Sequence, residues 1–381
     1  MRIEEARWML IEKRIGRGGS FLGLIAWLTV AACAGAPAAP EQGGEGARTA
    51  GAQESPVAQG AAAAAGDGSR EAGPATTGAA PAPGEGAAGT GAAPAAKGGA
   101  AGPGAMAGLR RLSVRTPDGL SLAAQEVGPA DAPAIVLVHG LGLTHLAWMR
   151  QIEGALATKF RLITYDLRGH GASDRPREEA AYTEGRRWGD DLAAVIAAAK
   201  VRRPVIVGWS LGGVVMINYL RDHGDKGIAG AVFVDAVTAF KPEFFTKENE
   251  GFMRSLVVKD DAARAEGSRR FLDACFAVPP PAANLARVRA AAGVLPAEVT
   301  EAIRNMSTPR GDETLRGLRV PTLVMQGDAD RMLTVAMGEH TAKLVPGAKL
   351  LVYPGLGHAP FVDDATHFDA DLEAFVRFVA K

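Results

Sequence analysis

The residues with the chemistry of a nucleophile sit in Gly208-Trp209-Ser210-Leu211-Gly212. The apolar run Val205 to Val207 reads as a buried strand before them. A helix, apolar nearly all round, follows and ends at Gly224. A G-x-S-x-G turn between strand and helix holds one serine on a sharp, strained corner. Its flanking glycines are needed where a side chain would strike the neighbouring strand and helix. Such a corner lifts the Ser210 hydroxyl out of the sheet and aims the following N–H at the same point. The pentapeptide alone is weak evidence, because Gly and Ser are common; its partners decide.

A serine hydroxyl is barely nucleophilic at neutral pH and needs a base to take its proton. His358 fits, in Tyr353-Pro-Gly-Leu-Gly-His-Ala-Pro360, a loop directly after the last predicted strand. The other six histidines fit less well. His139 and His145 flank a glycine loop, His170 sits in an Arg-Gly-His-Gly turn, and His223, His340 and His367 lie on or near helix ends. The base needs an acid to hold its tautomer. Asp330, in Gln326-Gly327-Asp328-Ala329-Asp330-Arg331, follows a strand and is the first choice. Asp328 competes, though its position also suits capping the turn. Asp235, at the end of the preceding strand, is a weaker third candidate. The three roles then fall in the order Ser, Asp, His. Oxyanion donors should be main-chain N–H groups. Leu211 supplies one, and Leu141 in His139-Gly140-Leu141-Gly142 supplies the other, since glycines on both sides allow close approach. Activity is expected to decline as His358 protonates, near pH ~6–7.

The elements that must carry these residues begin at Leu109. Leu109–Arg115 and Leu120–Val127 alternate around a Thr116-Pro117-Asp118-Gly119 turn, a hairpin pattern. Ala134–Val138 is a continuous apolar run, as in a central parallel strand. Arg161–Tyr165, Val205–Val207, Ile228–Val234, Thr322–Met325 and Lys349–Tyr353 follow as further strands. Trp188, Leu192, Val195, Ile196 and Ala199 form one helical stripe; Phe368, Leu372, Phe375, Val376 and Val379 form another. Two early strands and then strand–helix alternation predict an α/β domain over 109–381. Its mostly parallel sheet of eight strands would carry helices on both faces. Between about 240 and 318 the alternation breaks into charged helical text punctuated by Pro279-Pro280-Pro281. This predicts a small helical cap over the carboxyl ends of the strands. Phe240, Phe244, Phe245, Phe252, Met253, Phe271 and Phe276 give the cap an aromatic character. They either line an apolar acyl or alcohol pocket or pack the cap's own helices. Trp209 lines the pocket or packs beneath it.

Four features together resemble the α/β-hydrolase fold, in its esterase and cofactor-free haloperoxidase-like branch. They are His139-Gly140-Leu141-Gly142, Asp166-Leu-Arg-Gly-His-Gly-Ala-Ser-Asp174, Gly208-Trp-Ser-Leu-Gly-Gly213 and the Asp330/His358 pair. The resemblance covers about Leu109 to Lys381. It implies a serine hydrolase, carboxylesterase-like, that cleaves a small-molecule ester through an acyl-enzyme. Aspartate-nucleophile relatives such as haloalkane dehalogenases are excluded by Ser210. A thioester, a lactone or an activated C–C bond stays open as substrate. So do acyl transfer or perhydrolysis with the same residues, and a binding module without catalysis.

Composition narrows the remaining classes. The 42 basic and 42 acidic residues balance, and the chain shows no basic excess of the kind nucleic acid requires. No H-E-x-x-H motif occurs and the G-x-G spacings open no phosphate loop, so no metal and no cofactor is expected. The chain has two cysteines, Cys33 and Cys275. Arg14 and Arg17 precede the apolar run Phe21 to Val30, which is short of the roughly 20 residues of a spanning helix. Val30-Ala31-Ala32-Cys33 resembles a bacterial lipobox, which makes 1–33 an export signal with lipidation at Cys33. The charged stretch before Arg14 is long for such a signal, and a start at Met9 would shorten it. Ala34 rather than aspartate follows the cysteine, which by resemblance favours the outer membrane of a Gram-negative cell. Residues 34–108 are Ala, Gly and Pro with scattered charges and no Phe, Trp or Tyr, the composition of a disordered tether. A coil of that length spans about 45–50 Å root-mean-square. Sequence leaves the oligomeric state open.

Overall fold

The computed structural model describes residues 108–381. The export signal read over 1–33, Cys33 and, apart from Gly108, the 34–108 tether lie outside the described residues.

One sheet of eight strands organises the described chain, in the order β1-β2-β4-β3-β5-β6-β7-β8. β1 (Arg110–Arg115) and β2 (Ser121–Val127) form the antiparallel hairpin, and β2 pairs antiparallel with β4 (Arg161–Tyr165). Gly119 at φ +87 turns the hairpin, and its N–H donates to Thr116 O at 2.9 Å. From β4 onward all pairings are parallel, through β3 (Ala134–Val138), β5 (Val205–Trp209), β6 (Gly230–Val234), β7 (Thr322–Gly327) and β8 (Lys349–Tyr353). Every residue of β5 and β6 is buried. Side chains along a strand alternate between faces, so both faces of the sheet are covered there.

The covering helices include α1 (Gly185–Ala199) and α2 (Leu211–His223). α1 buries Trp188, Leu192, Val195 and Ala199, the expected stripe with Ile196 at its margin. α2 is buried from Leu211 through Leu220 and stops at Gly224, φ +70. Between β6 and β7 lie α3 (Lys247–Ser255), α4 (Asp261–Ala274), α5 (Ala282–Ala292), α6 (Ala297–Arg304) and α7 (Gly311–Gly317). The three prolines 279–281 break the chain between α4 and α5. α8 (Val335–Leu344) and α9 (Ala365–Val379) complete the domain, with Phe368, Leu372, Phe375 and Val376 of α9 buried.

β6 begins at Gly230, two residues later than the sequence reading, and two other strands run further than it. β5 continues through Gly208 and Trp209, which pair with Phe233 and Val234, and β7 continues through Gly327, which pairs with Tyr353. Glycine is a poor strand former in isolation, yet pairing overrides that preference, on both sides for Gly208 and on the β8 side for Gly327. The parallel arrangement brings the ends of β3, β5, β6, β7 and β8 to one edge of the sheet. There the loops bearing Leu141, Ser210, Asp235, Asp330 and His358 emerge.

Candidate active site

Ser210 occupies φ +54, ψ −116, a conformation an L residue adopts only under constraint. The glycines around it explain how the corner closes. A Cβ at Gly208 would lie 2.3 Å from Met216 Sδ and 2.7 Å from Gly212 O. A Cβ at Gly212 would lie 2.7 Å from Val138 O. Main-chain bonds fasten the corner to the end of β6. Ser210 N–H donates to Asp235 O at 3.1 Å and Val234 O at 3.2 Å, while Val237 N–H donates to Ser210 O at 2.9 Å.

The glycine loop after β3 crosses directly over this corner. A Cβ at Gly140 would stand 3.0 Å from Ser210 Cβ and 3.5 Å from Ser210 Oγ. Two buried histidines hold the loop. His139 Nδ1–H donates to Gly140 O at 2.8 Å, and its Nε2 accepts from Leu167 N–H at 3.0 Å. His170 Nδ1–H donates to Arg168 O at 2.9 Å, and its Nε2 accepts from Gly142 N–H at 3.1 Å. Both rings must be neutral to act as donor and acceptor at once. Burial drives both imidazoles well below their ordinary range, His170 to about 4. Gly142 N–H is occupied, whereas neither Leu141 N–H nor Gly140 N–H has an acceptor among the described residues. Leu211 N–H, in the first turn of α2, likewise has none among the described residues.

His358 and Asp330 meet beneath the surface. His358 Nδ1–H donates to Asp330 Oδ2 at 2.7 Å, and both side chains are buried. Asp330 Oδ1 accepts from the N–H groups of Met332 at 2.6 Å and Leu333 at 3.1 Å. Of the three carboxylates weighed, Asp330 is the one bonded to the imidazole. Asp328 is exposed and accepts from Gly355 N–H at 2.6 Å, which makes it a turn residue. Asp235 Oδ1 accepts from Gln326 Nε2 at 2.8 Å and Gly327 N–H at 2.9 Å. Ser210 Oγ and His358 make no hydrogen bond to one another here. The two segments are joined one residue earlier, where Trp209 Nε1–H donates to His358 O at 2.6 Å. Catalytic hydrogen bonds often tighten only once substrate is present. Asp235, Asp330 and His358 also lie close enough to share a metal ion, each offering an atom within 4.8 Å of the others. The hydrogen bond from Nδ1 to Asp330 already occupies the imidazole nitrogen on that side.

The alpha/beta hydrolase family profile matches residues 135–368. The chain belongs to the alpha/beta hydrolase family. Among its relatives is a bifunctional esterase/perhydrolase from Acinetobacter calcoaceticus, 28% identical over 69% of this chain and 99% of that protein. A non-heme chloroperoxidase from Burkholderia pyrrocinia is 30% identical, with 69% and 99% covered. Among solved structures, a Burkholderia cenocepacia protein provisionally named an aryl esterase is 39% identical at a TM-score of 0.68, covering 71% of this chain and 99% of that one.

In this hydrolase, Trp209 packs beneath the site: it is buried, with its ring edge-on to Phe361 at 5.0 Å. A cavity of about 170 Å³ opens between the loop residues Leu141, Gly142 and Leu143 and the α4 residues Phe271 and Leu272. Ser210 is not part of its wall. Of the aromatic set after β6, Phe271 reaches this cavity; Phe252 packs edge-on against Phe271 at 6.3 Å, and Phe240 is exposed.

The sequence reading missed the support beneath the loop. Asp166 accepts from His145 N–H at 2.8 Å, His145 Nδ1–H at 2.7 Å and Ala172 N–H at 2.9 Å. Burial works to raise its carboxyl, but the bonds and charge of His145 prevail and hold it at about 2. Arg168 forms a two-pronged, wholly buried pair with Asp191, both contacts at 2.7 Å. The signal was present in Asp166-Leu-Arg-Gly-His-Gly, read there as a fold marker without a task for each side chain.

Proposed function

We propose that this alpha/beta hydrolase is a serine esterase acting on small carboxylic esters. Ser210 Oγ attacks the ester carbonyl. His358, whose Nδ1–H is committed to Asp330, accepts the serine proton at Nε2 and returns it to the leaving alkoxide. Asp330 fixes that tautomer and stabilises the imidazolium. The N–H groups of Leu141 and Leu211 bind the oxyanion. Water, activated by the same imidazole, then releases the acid and frees Ser210. The observation that carries this reading is the buried 2.7 Å His358–Asp330 bond, one strand end away from a serine on a strained glycine-flanked corner. The esterases among its relatives support it. The cavity beside Leu141 favours an apolar acyl or alcohol group. A cavity of that size is close to an engineered, roughly 150 Å³ apolar one that accepts benzene. Turnover of p-nitrophenyl acetate tests the reading: Ser210→Ala is expected to lose several orders of magnitude in kcat, and near-normal turnover would reject it.

The esterase/perhydrolase relative favours a second use of the same acyl-enzyme. Hydrogen peroxide in place of water would attack the acyl carbon, forming a peracid and returning the proton to Ser210 through His358. Peracid formation that depends on Ser210 is the measurement.

The reading of 1–108 adds a place for the enzyme: acylated at Cys33, exported, and held to a membrane through that lipid. Cys33→Ser should move the protein to the soluble fraction, and unchanged fractionation would refute the anchor.

A further inference from the structure

Asp235 takes no part in the steps above, yet it stands against the residues that do. It is fully buried. Its Oδ1 accepts from Gly327 N–H and Gln326 Nε2, while its Oδ2 is buried with no donor among the described residues. The same Gln326 amide also reaches Asp330 Oδ2 at 3.4 Å. Asp330, Asp235 and His358 converge within 4.8 Å. Two carboxylates so close and so dry do not both ionise. Asp330 has the donors an anion needs: Met332 N–H, Leu333 N–H and His358 Nδ1–H. Asp235 has a bare oxygen, costly as an anion but, once protonated, a donor with Asp330 as its acceptor.

We propose that Asp235 is a positioning residue: as a neutral carboxylic acid it donates to Asp330, and it thereby holds the Asp330–His358 pair in register with the Ser210 corner. Its main chain makes the second half of that link. Asp235 sits at φ +37; its carbonyl accepts from Ser210 N–H, and its N–H donates to Met325 O at 2.9 Å. One residue therefore ties the nucleophile's corner to the strand that leads to Asp330. Burial first, and the Asp330 charge second, push its carboxyl well above the usual carboxylate range. The titratable groups around it are Asp330, His358 and Asp363, with Cys275 and Tyr353 near enough to be felt electrostatically.

The inference rests on the esterase reading, and its test separates the two. Asp235→Asn keeps a neutral donor of the same shape. Its kcat/KM is expected to stay within about 5-fold of wild type, with the acid limb of the pH profile in place. Asp235→Ala removes the donor. Its kcat should fall at least about 30-fold at little-changed KM, and the acid limb should move to higher pH, because an unshared Asp330 charge favours imidazolium. Equal losses in Asn and Ala, or an Ala variant with unchanged kcat and acid limb, would overturn the inference. If the Ala variant does not fold, the Asn variant still decides: a loss beyond about 100-fold there means the charge is required. Infrared spectroscopy at pH 8 gives a readout independent of turnover. The wild type should show a protonated-carboxyl band that Asp235→Asn abolishes. An active wild type without that band refutes the inference alone; an inactive wild type with it refutes the esterase reading and supports the shared proton.

Discussion

The indole of Trp209 donates to the main-chain carbonyl of His358 at 2.6 Å, across 149 residues of sequence. The residue before the proposed nucleophile thus sets the position of the proposed base. Phenylalanine keeps the ring packing against Phe361 but leaves the His358 carbonyl without its donor. Trp209→Phe is expected to lower stability by about 1–2 kcal/mol, the usual effect of orphaning a buried polar group. The kcat should drop about 10-fold because the imidazole loses its anchor. Urea denaturation and steady-state kinetics check the two halves, and unchanged kcat would show that other contacts place His358.

Asp330 and Asp328 differ in what they hold. Asp330→Asn should cost about 10⁴-fold in kcat, as loss of the tautomer-fixing acid does in a serine triad. Asp328→Asn weakens only the turn at Gly355 and should stay within about 3-fold. The reverse order would exchange their roles.

Gly140 and Gly142 separate crowding from strain. The Cβ of Gly140→Ala would press on Ser210 Cβ at 3.0 Å and Trp209 at 3.4 Å, so activity should fall at least about 10-fold with little change in folding. Gly142→Ala meets open space, but its φ of +68 disfavours a side chain. It should lose about 1 kcal/mol of stability and keep most of its kcat. Melting curves and kinetics on both variants make the comparison.

His139 and His170 each contribute a pH-dependent share to the domain's stability. Both are neutral when folded, and burial holds both below the ordinary imidazole range, His170 at about 4. The unfolded chain takes up their protons first. Their contribution to stability is therefore full above about pH 6.5 and is lost as pH falls from there towards 4, by about 1.4 kcal/mol per pH unit for each ring. Asp369 and Asp191, each raised to about 6 by burial, and the buried Asp235 bind protons on the folded side and oppose that loss, so the rings' share is read from the difference between wild type and a histidine variant. Urea midpoints at pH 7, 6 and 5 measure the slope. His170→Gln should flatten it relative to wild type, and parallel slopes would sink the assignment.

The sequence by itself determined the sheet and the corner. Apolar runs of strand length, the hairpin turn at Thr116–Gly119 and the paired glycines around Ser210 are local signals. A glycine whose Cβ would strike a neighbouring strand leaves its mark in the chain whatever the partner. The tertiary structure decided everything that depends on which distant groups meet. Asp328, Asp330 and Asp235 are all acids at strand ends, and the sequence could rank them, with Asp330 first, but not show which one meets the imidazole. Folding aims one at an imidazole, exposes another to cap a turn, and buries the third with an orphaned oxygen. The commitment of Gly142 N–H to His170 and of the Trp209 indole to His358 is likewise invisible in sequence. Hydrogen bonds reach about 3 Å, and the partners here are 28 and 149 residues apart, so no spacing rule along the chain encodes them.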